Sequence, residues 1–402
     1  MKNLQGKVLL LNFPLILLVQ VLALLYLTAC KGKTDTGFRV IEPFKKRGIS
    51  INIDSGQLKE NQLLRLSDLM TECRIVRLET TPHSLISELS TAEEYDNKYF
   101  ISDRKMKNLF VFDRSGKFRF RIEDNGKAGI VNDWFIDSAT RSIYVLNDMG
   151  RKIIIYDLEG KPVSQIPINV HSTKMELINS KTIVFFNDFN QANRPWPYSL
   201  LYWDIETGKV TNTAFPIDFI KASTYNTLQF PFTSEFGTTY FNPPFSYDIY
   251  NVKKDTVNHS FHINFGKLSL PADLNLTRYD SVREKILTSY EFINGLEDFA
   301  VSSNCLLFRF QYKSKVLGAV YSIHQKRLQL YDGIDDDING LPVSKISISQ
   351  KGIPYFALYP GKYFQLLDFY KQKTLPIPAE LAKFSSAFNK TDNPVLITGK
   401  FK

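Results

Sequence analysis

The sequence runs to 402 residues, 44% of them hydrophobic and 23% charged, with 31 Phe and 20 Tyr. That composition belongs to a globular chain with room for one large or two medium domains, and its aromatic and β-branched bursts lean toward β structure and away from long helices. The formal net charge of +9 is dispersed: its densest run, Lys45-Lys46-Arg47, has neither a stacking platform of aromatics nor a recognition helix. This speaks against nucleic-acid binding and for a solvated basic face able to sit near anionic lipid.

Two lysines in residues 2–7 precede a run over 8–27 made mostly of Leu, Val, Ile and Phe, and small residues stand just before a cysteine in Leu27-Thr28-Ala29-Cys30. The layout is that of a secretory signal peptide, residues 1–29, with a small-residue cleavage site. Its last four residues resemble the bacterial lipobox, and the resemblance implies that the Cys30 thiol carries diacylglycerol and becomes the mature N-terminus. Two or three acyl chains hold a protein firmly, at about 0.8 kcal/mol per buried methylene, so the expected link is a lipid tether. An uncleaved membrane helix is the competing reading, interrupted by Asn12, Pro14 and Gln20. Residues 30–37 then make the lipidated cysteine and a polar tether. No acidic cluster of the kind found in some surface-displayed lipoproteins follows Cys30, which favours the periplasmic face of the outer membrane. Cys73 and Cys305 sit in apolar stretches and read either as a disulfide or as two buried thiols.

Beyond the tether a repeat sets in. "NLFVFDRSGKFRFRI" (108–122), "KIIIYDLEGKPVSQI" (152–166) and, more loosely, "SLLYWDIETGKVTNT" (199–213) each show an apolar strand ending in aromatic-Asp, a turn closing on Gly-Lys, and a second strand. Asp113 to Asp157 is 44 positions and Asp157 to Asp204 is 47, the period of a propeller blade. Asp can accept hydrogen bonds from the backbone ahead of it, and the following Gly takes the positive φ the tight turn requires. Further strands precede each hairpin, so that one unit holds four.

Later units are more worn. Residues 238–266 give three strands and 304–333 three more; between them 271–298 contain "RYDSVREKILTSYEFI", read as a helical insertion. A sixth unit starts near 344–360, followed by helices around 361–371 and 378–388 and a final strand in 393–401. That unit is one strand short, and "CRIVRLET" (73–80) waits unassigned at the other end; pairing the two would seal the ring and remove its open edges. The expected fold is an all-β, six-bladed β-propeller over 38–402, closed by an N-terminal strand, with short helical insertions.

The stretches "LSDLMTECRIVRLETT" (66–81), "YFISDRKMKNLFVFDRSGKF" (99–118), "YDIYNV" with "HINFG" (247–266) and "DNPVLITGKFK" (392–402), in that order, resemble the six-bladed β-propeller lipoproteins of Gram-negative gut bacteria, a family of unknown function related in shape to NHL-type propellers. One departure is the loop after the first blade, "EDNGKAGIVNDW" (123–134), which lacks the Pro and Glu common there in the family.

Irregular, aromatic sequence collects in the longer loops, where a rigid scaffold presents binding groups. Arg194, Trp196, Tyr198, Phe232, Phe245 and Tyr247 are the candidates for an aromatic floor with one cation, suited to a sugar ring or a peptide. The plainer account makes these rings a cap over the core. Of five histidines only His259 and His262 are close, and on a regular strand they point to opposite faces, which argues against a shared metal. Asp335, Asp337 and Asn339 match the first half of a calcium loop, but Ile346 stands where a bidentate Glu is wanted, so a solvated acidic turn is the reading. No catalytic signature is present and no cofactor is expected. The function expected is a lipid-anchored binding protein that recognises a glycan, a peptide or an envelope protein on its long-loop face. The alternative is a carbohydrate-active hydrolase or lyase at the channel mouth, which a convergent cluster of carboxylates on the axis would favour.

Overall fold

Each expected hairpin closes on its Asp. The Asp113 Oδ1 accepts from the Ser115 N–H at 2.8 Å and the Lys117 N–H at 3.1 Å. Asp157 does the same for Glu159 and Lys161, and Asp204 for Thr207. Gly116, Gly160 and Gly208 follow at φ of +88°, +80° and +66°, the left-handed region that a side chain disfavours. These turns belong to a computed structural model that describes residues 37–44, 48–122, 130–187, 191–217, 231–235, 237–271, 291–349, 352–377 and 388–402, with Ala379, Leu381 and Ala382. The leader, Cys30, most of the tether, Lys45–Arg47, residues 123–129, the helical reading of 272–290 and most of 378–388 lie outside them. The chain forms two compact units, Met1–Arg39 and Val40–Lys402; of the first, Gly37, Phe38 and Arg39 are described.

The second unit is an all-β propeller with few helices. Its first three sheets are antiparallel meanders beginning at Leu89–Tyr95, Asp133–Asp137 and Met175–Asn179. The fourth begins at Phe232–Glu235 and the fifth at Asp298–Val301. Another starts at Ser347–Ile348, continues through Pro354–Leu358 and Val395–Phe401, and ends on Met70–Arg77. In this last sheet Leu396 lies opposite Val76 and Ile397 opposite Ile75, which is the expected union of the two chain ends.

The expectation of six blades is corrected: the described residues form seven sheets. The additional one has three short strands, Leu63–Arg65, Gly333–Asp335 and Pro342–Val343. Strands of two and three residues carry too little alternation to be seen in sequence. The N-terminal segment was also under-read. Ile49–Asn52 adds a fifth, parallel strand to the fourth sheet, Ile49 opposite Phe261 and Asn52 opposite Asn264, and the Ile41 N–H donates to the Thr213 carbonyl at 2.7 Å.

The core is divided into wedges between neighbouring sheets. Phe100, Val111, Trp134, Ile143 and Tyr156 fill one; Val76, Tyr99, Phe110, Tyr355 and Leu396 fill the wedge beneath the joined chain ends. A middle strand is therefore covered on both faces. Thr182–Phe186 is buried at every position, which explains why "TIVFF" reads as a continuous apolar run and not as an alternation. The helix Pro360–Gln372 starts on a proline, where no helical N–H is lost, and buries Tyr363 and Leu367.

A candidate ligand cavity on the axis

The opening strands of the six larger sheets converge on one cavity of about 140 Å³, close to the size that holds a single six-membered ring. Alternation along these strands sends charged side chains inward from otherwise apolar segments. Lys174 and Glu176, two apart, both line it, as do Glu93 and Asp133 from the first and second sheets. Asp298, Arg309 and Lys345 supply further charge, and Trp134, Phe232, Phe299, Tyr331 and Tyr355 supply rings.

The charges are mostly matched. Asp298 and Arg309 stand opposite each other on neighbouring strands; Arg309 donates Nε to both carboxylate oxygens at 3.0 and 3.1 Å and Nη2 to one at 2.7 Å, a bidentate fork. Lys345 Nζ lies 2.5 Å from the same carboxylate. Burial works to raise the Asp298 carboxyl, but Lys345 and Arg309 outweigh it and hold it below its ordinary value. Asp133 accepts from the Met175 N–H at 2.8 Å and pairs with Lys174 at 3.3 Å; burial still leaves it raised.

Glu176 differs. Burial pushes its carboxyl up to about 8, the negative charges of Asp133 and Glu93 add to this, and the Ser234 hydroxyl and Lys174 only partly oppose it. At neutral pH it is a neutral acid able to donate. Tyr331 and Tyr355 are both pushed up to about 12 by burial and stay neutral.

Of the residues singled out in sequence, Phe232 lines this cavity and stacks edge-on to Phe186. Arg194 is exposed, and Trp196 and Tyr198 are half-buried in the segment whose carbonyls accept from Asn187 Nδ2. The Tyr247 hydroxyl is spent internally, donating to the Ile293 carbonyl at 2.6 Å and accepting from the Leu270 N–H at 2.7 Å. Phe245 sits half-buried at φ +58°. Asp337 is engaged by the Ser67 N–H and by Arg65 at 2.8 Å each, and Asn339 donates to Asp336, which also caps the turn at Ile338 and Asn339. Asp335 is exposed on its short strand. The structure does not gather Asp335, Asp337 and Asn339 into a metal cluster among the described residues.

Residues 48–400 match the family described as "Domain of unknown function (DUF4934)". The chain belongs to the DUF4934 family. No curated protein matches it. Among solved structures it is similar to a candidate exported protein from Bacteroides fragilis NCTC 9343, 14% identical, covering 88% of this chain and 99% of that one with a TM-score of 0.71. A DUF4221 family member from Bacteroides vulgatus ATCC 8482 is 10% identical, with 86% and 99% covered and a TM-score of 0.46.

This DUF4934 domain holds one cluster that the sequence reading placed wrongly. His259 Nε2 and His262 Nδ1 lie 2.9 and 2.7 Å from the same Asp248 Oδ1. The register slips between Ile249 and Tyr250, leaving Ser260 as an extra residue; a bulge reverses the parity, so both imidazoles reach one carboxylate. His259 Nδ1 accepts the Gly48 N–H at 2.8 Å, so the ring proton sits on Nε2 and faces Asp248. A metal on Nε2 would need that proton on Nδ1, against another N–H, and the pattern is that of a clamp on the N-terminal strand. Cys73 and Cys305 are free, and burial pushes the Cys305 thiol up to about 11. Sequence reading missed the cavity acids, although single charges inside apolar runs, as in "KMELI" and "DWFI", were a signal.

Proposed function

We propose that this DUF4934 protein is a lipid-anchored binding protein of the outer membrane, on the periplasmic side, that holds a small polar molecule in its axial cavity. The observation that carries the ligand reading is the convergence of six sheets on a ring-sized space lined by four acids, three bases and several aromatic rings, a concave site with a few convergent polar groups. The export and anchoring part rests on the leader and on Cys30, and a candidate exported protein shares the fold. A thermal-shift panel of small polar compounds tests the cavity, with Ala300→Trp, which fills it, as control. Stabilisation of the wild type that the filled variant loses is expected. Equal shifts in both, or none in either, would refute the reading.

A second reading, a hydrolase or lyase acting on carbohydrate, is favoured by the gathering of carboxyl groups, with Glu176 as the proton donor. It is the weaker one. Asp298 is saturated by Arg309 and Lys345, which hold it below its ordinary value and leave it a poor base, and Asp133 is engaged by Lys174 and the Met175 N–H.

A further inference from the structure

We propose that the molecule held in the axial cavity is a small organic amine, whose ammonium group sits against Glu176 with Glu93 and Asp133 beside it and whose body packs between Trp134 and Phe232. This rests on the cavity being a ligand site, as argued above. Three observations lead to it.

The first is the inventory of charge. Four acids, Glu93, Asp133, Glu176 and Asp298, face three bases, Lys174, Arg309 and Lys345. Arg309 and Lys345 pair with Asp298, and Lys174 pairs with Asp133. Glu176 takes a hydrogen bond from Ser234 and forms no ion pair among the described residues. The lining is electrically balanced only while Glu176 keeps its proton; once that proton leaves, the site calls for one positive charge. A charge enclosed in such a space persists only if it is paired.

The second is placement. Glu93, Asp133 and Glu176 come from three successive sheets, and the negative charges of the first two act on Glu176. The bases Arg309 and Lys345 are drawn instead to Asp298 of the fifth sheet. On the Glu176 side Lys174, paired with Asp133, is the lining base that opposes a cation. The third is the wall. Trp134 is fixed by its Nε1–H donating to Thr91 at 3.2 Å, and with Phe232 it contributes aromatic lining of the kind that attracts an ammonium group.

Binding then exchanges a proton for the ammonium group: the Glu176 O–H bond breaks, the proton leaves to buffer, and the carboxylate pairs with the ligand. Because burial holds the empty-site carboxyl near 8, amine affinity should climb by up to tenfold per pH unit from pH 6 toward 8 and then level off, for amines that remain protonated there.

The test uses three matched pairs of probes: cyclohexylamine and cyclohexanol, benzylamine and benzyl alcohol, 2-amino-2-deoxyglucose and glucose. Titration calorimetry in buffers of different ionisation enthalpy counts the protons released. At least one amine is expected to bind tenfold or more tightly than its alcohol at pH 7, releasing close to one proton, and to lose that preference in Glu176→Gln. Should that variant fail to fold, the pH profile of the wild type decides alone. Alcohols binding as well as amines, or an amine preference unchanged by pH, would overturn the amine inference and leave the cavity reading standing. If no probe binds and a wider panel of neutral, anionic and zwitterionic compounds also fails, the cavity reading falls and the inference with it.

Discussion

Replacing Glu176 with Gln should make the empty protein less sensitive to alkali. In the folded state its carboxyl lies near 8 against an ordinary value of 4.5, so between those values the folded chain holds a proton that the unfolded chain has released. Stability from this group is complete below pH 4.5, falls as pH rises, and is gone above 8. The gap corresponds to about 5 kcal/mol at most, gathered at about 1.4 kcal/mol per pH unit between the two values. Asp133, also raised, acts with the same sign, whereas the depressed Asp298 loses its contribution only as pH falls through its lowered value, outside this window. Gln keeps the shape and cannot titrate. Urea unfolding at half-unit steps from pH 5 to 9 should show the wild type losing about 1.4 kcal/mol per pH unit relative to Glu176→Gln up to pH 8, and nothing further above it. Parallel curves for the two proteins would refute the buried neutral acid and the charge inventory built on it.

Three further outcomes follow from other parts of the chain. Cys30→Ala should abolish incorporation of labelled fatty acid and move the protein from the membrane to the soluble fraction; retention on the membrane would favour an uncleaved helix. Gly48→Ala should release the parallel strand Ile49–Asn52, because a Cβ there would clash with the Ser260 carbonyl oxygen; hydrogen exchange at Ile51 and Ile53 should lose protection by about 2 kcal/mol or more, on the order expected for backbone clash. Asn393→Ala should cost roughly 2 to 4 kcal/mol, since its amide accepts from the Ile86 N–H and donates to the Glu79 and Ser84 carbonyls, all within 2.9 Å, and the loss orphans buried backbone groups; an unchanged denaturation midpoint would contradict it.

What could be read in the sequence was what local physics writes there. Asp113, Asp157 and Asp204 announce their hairpins because turn chemistry is settled within five residues, and the chain-end union was legible because Val395–Ile397 and Ile75–Leu78 are apolar segments left over once the other strands are assigned. The seventh sheet escaped because strands of two and three residues have no period. His259 and His262 were sent to opposite faces by a rule that a single extra residue, Ser260, reverses. The cavity was the least legible part. Glu93 and Lys345 are 252 positions apart and become neighbours of one space only through the closed ring.

That closure ties the chain ends to the site. Glu93 rides on the first sheet and Lys345 and Ser347 lie at the start of the last, so the seam between these sheets sets the spacing across one side of the cavity. The seam is bonded as well as packed: the Leu89 N–H donates to the Tyr359 hydroxyl at 2.7 Å, and the Tyr355 hydroxyl lies between the Ala92 backbone and the Ser347 side chain. Both tyrosines belong to the strand Pro354–Leu358 or its exit, and that strand is positioned by Val395–Phe401, which in turn is covered by Met70–Arg77. A substitution on the joined ends, far from any ligand, should therefore weaken binding by loosening the wall that carries Glu93 and Lys345. Tyr359→Phe tests this outside the cavity lining: it keeps the ring and removes the hydroxyl that accepts from the Leu89 N–H across the seam, so a drop in ligand affinity without a comparable loss of stability would locate the coupling in that bond.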